Sequence, residues 1–172
     1  MKISINAGHT ISGAGYGATS NGFHESKITR EIAGELIQIL RKQGHTVTNA
    51  TVNRASSQNA YLKEVCRLAN KSGADVFVSI HLNASNGKGH GCEVYTLRGA
   101  NVPSARSVCK NLSELGFKNR GVKDGSELYV IKHTTMTAIL VEVFFLDNET
   151  DRNLYIKHGA KKIAEAIAKG LN

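Results

Sequence analysis

Apolar and polar positions divide this chain into short strands and amphipathic helices that follow one another almost throughout. Lys2 to Asn6 reads as a first strand, followed by Ala7-Gly8-His9-Thr10 and a glycine-rich loop from Ser12 to Gly22. From about His24 to Gln43, residues Ile28, Ile32, Leu36, Ile39 and Leu40 recur at helical spacing, and Gly44 is placed to stop that helix. His45 to Val52 has the threonine and valine content of a second strand. Ser56 or Ser57 is placed to cap a second helix that carries Leu62, Val65, Cys66 and Ala69 and ends near Gly73. Then comes the most compact apolar run, Val76-Phe77-Val78-Ser79-Ile80-His81-Leu82-Asn83. Such a run suits a strand buried on both faces of a parallel sheet.

The second half continues the alternation. Cys92 to Leu97 is a fourth strand, and Val102 to Leu115 a third helix that starts near Pro103 and ends at Gly116. Asn119 to Ser126 reads as a turn-rich loop leading to a fifth strand, Glu127 to Ile131, and Thr137 to Phe145 is a sixth. The last helical region begins at Asp147-Asn148-Glu149, breaks at Gly159 and resumes to Leu171. Strands alternating with helices imply an α/β fold: one three-layer domain over residues 1–172, with a mostly parallel sheet.

Composition narrows the class. A chain of 172 residues with 41% hydrophobic and 21% charged residues is an ordinary globular domain, neither disordered nor membrane-embedded. No apolar run reaches the roughly 20 residues of a membrane helix. The amino terminus reads as a strand rather than a signal peptide, so the expected route is synthesis in the cytoplasm and action elsewhere only after release. Three well-separated cysteines, Cys66, Cys92 and Cys109, suggest free thiols rather than a disulfide framework or a zinc knot. A net charge of +8 favours an anionic partner. The basic residues form no dense cluster and have no interleaved aromatics, so charge alone does not point to nucleic acid.

Chemistry enters where polar groups interrupt apolar strands. Glu142 is the one carboxylate in Ala138-Ile139-Leu140-Val141-Glu142-Val143-Phe144-Phe145. A buried carboxylate needs a cation, a raised pKa or an ion pair, and Arg120 is a candidate partner. His9 follows the first strand as His81 ends the third, so in a parallel sheet both rise from the carboxyl edge, where open α/β folds place their sites. Glu25 opens the first helix at that same edge, although the helix dipole alone would favour an acidic residue there. Singly, each has an ordinary structural explanation. Together they match a zinc site of two histidines and a glutamate, with Glu142 as general base. Of the other histidines, His133 is the one expected to approach the site. Gly13-Ala14-Gly15-Tyr16-Gly17-Ala18 formally satisfies a dinucleotide fingerprint, but it lies too far from its strand and helix to cradle a phosphate.

These residues in this order resemble the zinc-dependent N-acetylmuramoyl-L-alanine amidases, peptidoglycan hydrolases whose catalytic domain is about this size. The resemblance covers essentially the whole chain. It rests on Ala7-Gly8-His9, Glu25, Ser79 to Ala84, Asn119-Arg120-Gly121-Val122-Lys123 before Leu128-Tyr129-Val130, and Leu140 to Asn148. It implies a twisted six-stranded sheet flanked by helices, Zn²⁺ bound by His9, Glu25 and His81, and Glu142 as the catalytic glutamate. The implied substrate is peptidoglycan, cut between the lactyl group of N-acetylmuramic acid and L-alanine, with no nucleic acid and no membrane insertion. Asn83 is placed to bond the stem peptide or to orient its loop. Asn6, Ala7, Thr10 and Met136-Thr137 depart from the commoner family residues and suggest the phage endolysin branch, without touching the four site positions. Family members usually add a wall-binding domain, and none is expected in these residues. The alternatives are a zinc peptidase or deacylase acting on another wall bond, and a non-catalytic basic binding module.

Overall fold

The computed structural model describes residues 1–172. Six strands form the central sheet: β1 (Lys2–Ala7), β2 (Thr46–Asn49), β3 (Val76–Asn83), β4 (Cys92–Thr96), β5 (Asn119–Asp124) and β6 (Thr137–Phe145). Their spatial order is β2-β1-β3-β6-β4-β5. The first four in that order are mutually parallel; β4 runs antiparallel to β6, and β5 is parallel to β4. The sheet is therefore mostly parallel, with a reversed pair at one edge.

The helices are α1 (Glu25–Lys42), α2 (Gln58–Lys71), α3 (Pro103–Glu114), the single-turn α4 (Tyr129–His133) and α5 (Glu149–Leu171). Strand periodicity sorts them into layers. Ile3, Ile5, Val78, Ile80, Ile139 and Val141 meet Ile32, Leu36, Val108, Leu112 and Ile167, so α1, α3 and α5 cover one face. Phe77, Ala138 and Leu140 face the opposite way and pack with Tyr61, Val65, Val130 and Ile131 of α2 and α4. Because successive strand residues alternate faces, Ser79 and His81 follow Phe77, and Glu142 follows Leu140, onto the α2/α4 side.

The local punctuation agrees with the sequence. Gly44 sits at φ 86°, the left-handed conformation that ends a helix at low cost. Ser57 Oγ accepts the Ala60 N–H at the start of α2, and Asn148 Oδ1 accepts the Asp151 N–H at the start of α5. Gly159 breaks α5 at φ 70°. Cys66, Cys92 and Cys109 are all buried free thiols.

Two strands depart from the expected bounds. The fifth strand is Asn119–Asp124, not Glu127–Ile131. Asn119–Asp124 reads as a loop because it is an edge strand whose residues stay exposed or half-buried, so it lacks an apolar stripe. A short apolar run such as Leu128 to Ile131 has no period that separates strand from helix. Here a turn at Asp124–Ser126, with the Ser126 N–H donating to Asp124 Oδ1 at 2.9 Å, sends the chain into α4. The second strand is also shorter than the expected His45–Val52.

Candidate metal centre

His9 leaves β1 in a left-handed conformation, φ 67°, which is uncommon for a residue other than glycine. Three contacts hold it there. Its N–H donates to the Tyr61 hydroxyl at 2.7 Å, its carbonyl accepts from Arg30 at 2.8 Å, and its Nδ1 lies 3.0 Å from the Gly15 carbonyl. The Gly15 contact leaves Nε2 free to face Glu25, 3.1 Å from Oε1. Metal-binding histidines commonly commit their second nitrogen in this way.

Glu25 is the first residue of α1 and is 3% exposed. Its Oε1 accepts the Leu82 N–H at 3.0 Å and lies 3.2 Å from His81 Nδ1; Oε2 accepts the Ala18 N–H at 2.9 Å. Burial alone would raise the pKa of this carboxyl. Hydrogen bonds from His81 and His9, with their charge, outweigh that and hold it well below the usual carboxylate range. Burial lowers the basicity of His9, but the Glu25 hydrogen bond and charge, with the Gly15 carbonyl, raise it overall. The ligating atoms of His9, Glu25 and His81 all lie within 4.8 Å of one another. The two imidazoles meet edge to face at 4.9 Å between centroids.

The glycines around this cluster explain the loop that mimicked a dinucleotide fingerprint. A Cβ on Gly17 would stand 2.8 Å from the His9 ring and 3.0 Å from Glu25 Oε2, and one on Gly8 would stand 2.5 Å from the His81 ring. Gly15 and Ala18 supply the backbone groups that hold His9 and Glu25. The loop therefore clamps side chains and is not built as a phosphate cradle.

Glu142 is the direct register partner of His81 on one side and of Glu93 on the other. Its Oε2 is enclosed and has no hydrogen-bond partner. Burial first, then the charges of Glu25 and Glu93, push its pKa well above the ordinary carboxylate value. Glu142, His9 and His81 line one cleft of about 370 Å³, with Tyr61 and Leu62 of α2 and Leu128 to Val130 around α4 as walls.

The ion pair considered for Glu142 and Arg120 does not form. Arg120 Nε donates instead to Glu93 Oε2 at 2.8 Å. Glu93 was readable as a carboxylate inside the Cys92–Thr96 strand, the same signal that marked Glu142, but that strand is short and its alternation ordinary. Asn83 has both ends of its amide occupied, donating to Glu93 at 2.8 Å and accepting the Ala84 N–H at 2.9 Å, so it orients the loop. His133 falls on α4, where its ring packs on Tyr129 at 4.1 Å and lies outside the cleft; Tyr129 lines the cleft in its place.

A buried carboxylate flanked by two imidazoles at the carboxyl edge of a parallel sheet, beside an unpartnered glutamate, has the donor set of a metallohydrolase centre. His₂Glu is a zinc ligand combination that keeps a further position open, so the residues present fit that ion. The sequence profile of the N-acetylmuramoyl-L-alanine amidases matches residues 3–172, and the chain belongs to that family. It is 32% identical over its whole length to the N-acetylmuramoyl-L-alanine amidase CwlM of Bacillus licheniformis, and covers 69% of that protein. It is also 32% identical to the endolysin of Bacillus phage SPP1, with 98% of this chain matched to 65% of the endolysin. The chain thus spans about two thirds of the length of these relatives. Among solved structures, the catalytic domain of the CD27L endolysin, targeting Clostridia difficile, superposes with a TM-score of 0.89 at 33% identity, covering 99% of this chain and 96% of that one.

Proposed function

We propose that this chain is a zinc-dependent peptidoglycan amidase domain. It hydrolyses the amide between the lactyl group of N-acetylmuramic acid and L-alanine of the stem peptide, acting on the bacterial wall. The observation that carries this reading is the meeting of His9, Glu25 and His81 within 4.8 Å beside Glu142, in a chain of the amidase family. His9, Glu25 and His81 would hold the zinc ion, which supplies Lewis acidity at the scissile carbonyl and a more acidic water.

The remaining chemistry belongs to the side chains. Glu142 takes a proton from the attacking water and passes it to the leaving amine of L-alanine. Ionised Glu25 balances positive charge at the cluster. Tyr61, Leu62, Leu128 and Val130 exclude bulk water from one side of the cleft, which strengthens electrostatic interactions inside it.

Digestion of purified peptidoglycan, followed by mass spectrometry and parallel metal analysis, tests the proposal. New L-alanine amino ends on intact glycan strands, lost on chelation and regained with zinc, are expected. Release of terminal amino acids would assign a carboxypeptidase instead. Undiminished activity in metal-free protein would overturn the zinc mechanism.

A further inference from the structure

Two strands from Glu142 lies an arginine that the proposed reaction does not use. Glu93 is 3% exposed and sits at the start of β4, opposite Glu142 in register. Its carboxylate is fully engaged. Oε2 accepts from Arg120 Nε at 2.8 Å, while Oε1 accepts from Asn83 Nδ2 at 2.8 Å and from the Tyr95 hydroxyl at 2.9 Å.

Arg120 itself is only partly committed. It spends Nε on Glu93, its two terminal amino groups donate to no protein acceptor, and its side chain is 33% exposed. Its guanidinium lies 4.9 Å from the centroid of the Phe145 ring, at the carboxyl end of β6. This is the sheet edge from which His81 and Glu142 also rise. The guanidinium is thus fixed at one nitrogen by a buried carboxylate and on one face by an aromatic ring. The two terminal amino groups are left over.

We propose that Arg120 binds a carboxylate of the stem peptide, with Glu93 as the buried anchor that aims it; this rests on the amidase reading above. A planar guanidinium offers parallel N–H donors that match a carboxylate in two hydrogen bonds. Anchoring the long side chain beforehand reduces the ordering cost that binding would otherwise carry. Strands in a sheet lie about 4.8 Å apart, which sets the Arg120 backbone roughly 10 Å from that of Glu142. An extended peptide advances about 3.4 Å per residue, so this distance corresponds to roughly three residues. A stem peptide leaving the cleft across β6 and β4 would bring a carboxylate of its first few residues to Arg120.

The test compares muramoyl-peptide substrates that differ at a single stem carboxylate, free in one and amidated in the other, each carboxylate being taken in turn. KM and kcat are measured on the zinc-loaded wild type, Arg120→Gln and Arg120→Lys, with a melting curve for each. The wild type is expected to prefer one free carboxylate through KM. Arg120→Gln should raise KM for that substrate about 10- to 100-fold, the weight of a hydrogen-bonded charge pair, and so abolish the preference. Arg120→Lys should restore only part of it, because an ammonium lacks the fork. Should Arg120→Gln leave Glu93 unpaired and fail to fold, the double variant Glu93→Gln/Arg120→Gln removes both charges and carries the same expectation. An unchanged preference in the folded variants, or an equal loss of kcat on both substrates, overturns the proposal and leaves a structural pair. A wild type that cleaves none of these substrates at the lactyl amide overturns the amidase reading instead.

Discussion

His81 and Glu142 are register partners across the parallel β3–β6 pair, at the carboxyl end of both strands. Side chains at paired positions project from the same face, so the proposed ligand and the proposed base are neighbours by virtue of strand pairing alone. Their roles should nevertheless separate. Glu142→Gln is expected to retain zinc and to lose about 10²- to 10⁴-fold in kcat, the usual weight of a general base. His9→Ala and His81→Ala should lose the metal itself. Metal analysis beside turnover checks both, and a Glu142→Gln protein of wild-type activity would remove the general-base role.

Arg30 should control metal retention without touching the metal. Its guanidinium donates to the carbonyls of Ser26 at 2.7 Å, His9 at 2.8 Å and Val52 at 3.1 Å, and to Asn53 Oδ1 at 3.0 Å. It ties the helix that carries Glu25 to the turn that carries His9. Partners that orient ligands in this way are worth about 10- to 100-fold in affinity. Arg30→Ala is therefore expected to weaken zinc binding by that order, measured by competition with a chelator. Unchanged affinity in a folded variant would make Arg30 a stability residue only.

Gly8→Ala should damage the centre while leaving much of the fold in place. The added methyl would stand 2.5 Å from the His81 ring, and Gly8 N–H is held to the Ile80 carbonyl at 2.8 Å, so the backbone cannot retreat easily. The imidazole must turn away from Glu25. The expected outcome is a melting temperature lowered by several degrees and a metal content well below one per chain. Gly34→Ala, where nothing lies within 4 Å of the new methyl, is the matched control. It also gains helix propensity within α1.

The metal-free protein should show a pH-dependent penalty from Glu142. Its folded carboxyl keeps a proton to higher pH than the unfolded chain does. The stability this contributes is complete below the ordinary glutamate value, about 4.3, and is lost as pH rises through the folded value. Glu142→Gln removes the loss. In metal-free samples the variant should match the wild type near pH 4 and melt at a higher temperature near pH 8. Parallel curves at both ends of the range would contradict the elevated pKa.

Wall lysis should weaken with salt. The chain carries 22 basic against 14 acidic residues, and attraction between exposed charges and an anionic polymer is screened beyond about 8 Å at physiological ionic strength. Turnover of a small muropeptide should fall less than lysis of whole walls between low and high salt. Equal salt responses would show that the basic surface contributes nothing to wall association.

Much of this protein is legible from the chain because its signals are local and periodic. Val76 to Asn83 and Thr137 to Phe145 are recognisable as central strands, since residues buried on both faces must be apolar almost without interruption. The same rule makes His81 and Glu142 conspicuous as exceptions. The cap at Ser56 or Ser57, the helix start at Asp147-Asn148-Glu149 and the stops at Gly44 and Gly159 follow from backbone chemistry that needs no partner. Asn119–Asp124 and Tyr129–His133 were misread because their conformations are set from outside. The former is a strand only because β4 offers it hydrogen-bonding groups, and the latter is a helix because Val130 and Ile131 find cover against the α2 layer.

By itself the sequence determined that His81 and Glu142 interrupt apolar strands, that His9 follows the first strand and that Glu25 opens the first helix, which made these four the ones worth joining. Only the tertiary structure decided how they meet. The left-handed turn at His9, the Gly15 and Ala18 backbone contacts, and the Arg30 tether depend on segments far apart in the chain. Glu93 rather than Glu142 captures Arg120, because strand order places β4 between β6 and β5. Periodicity assigns a side chain to a face, but the neighbour across the sheet is set by which strands pair and in which register, and that is a property of the folded whole.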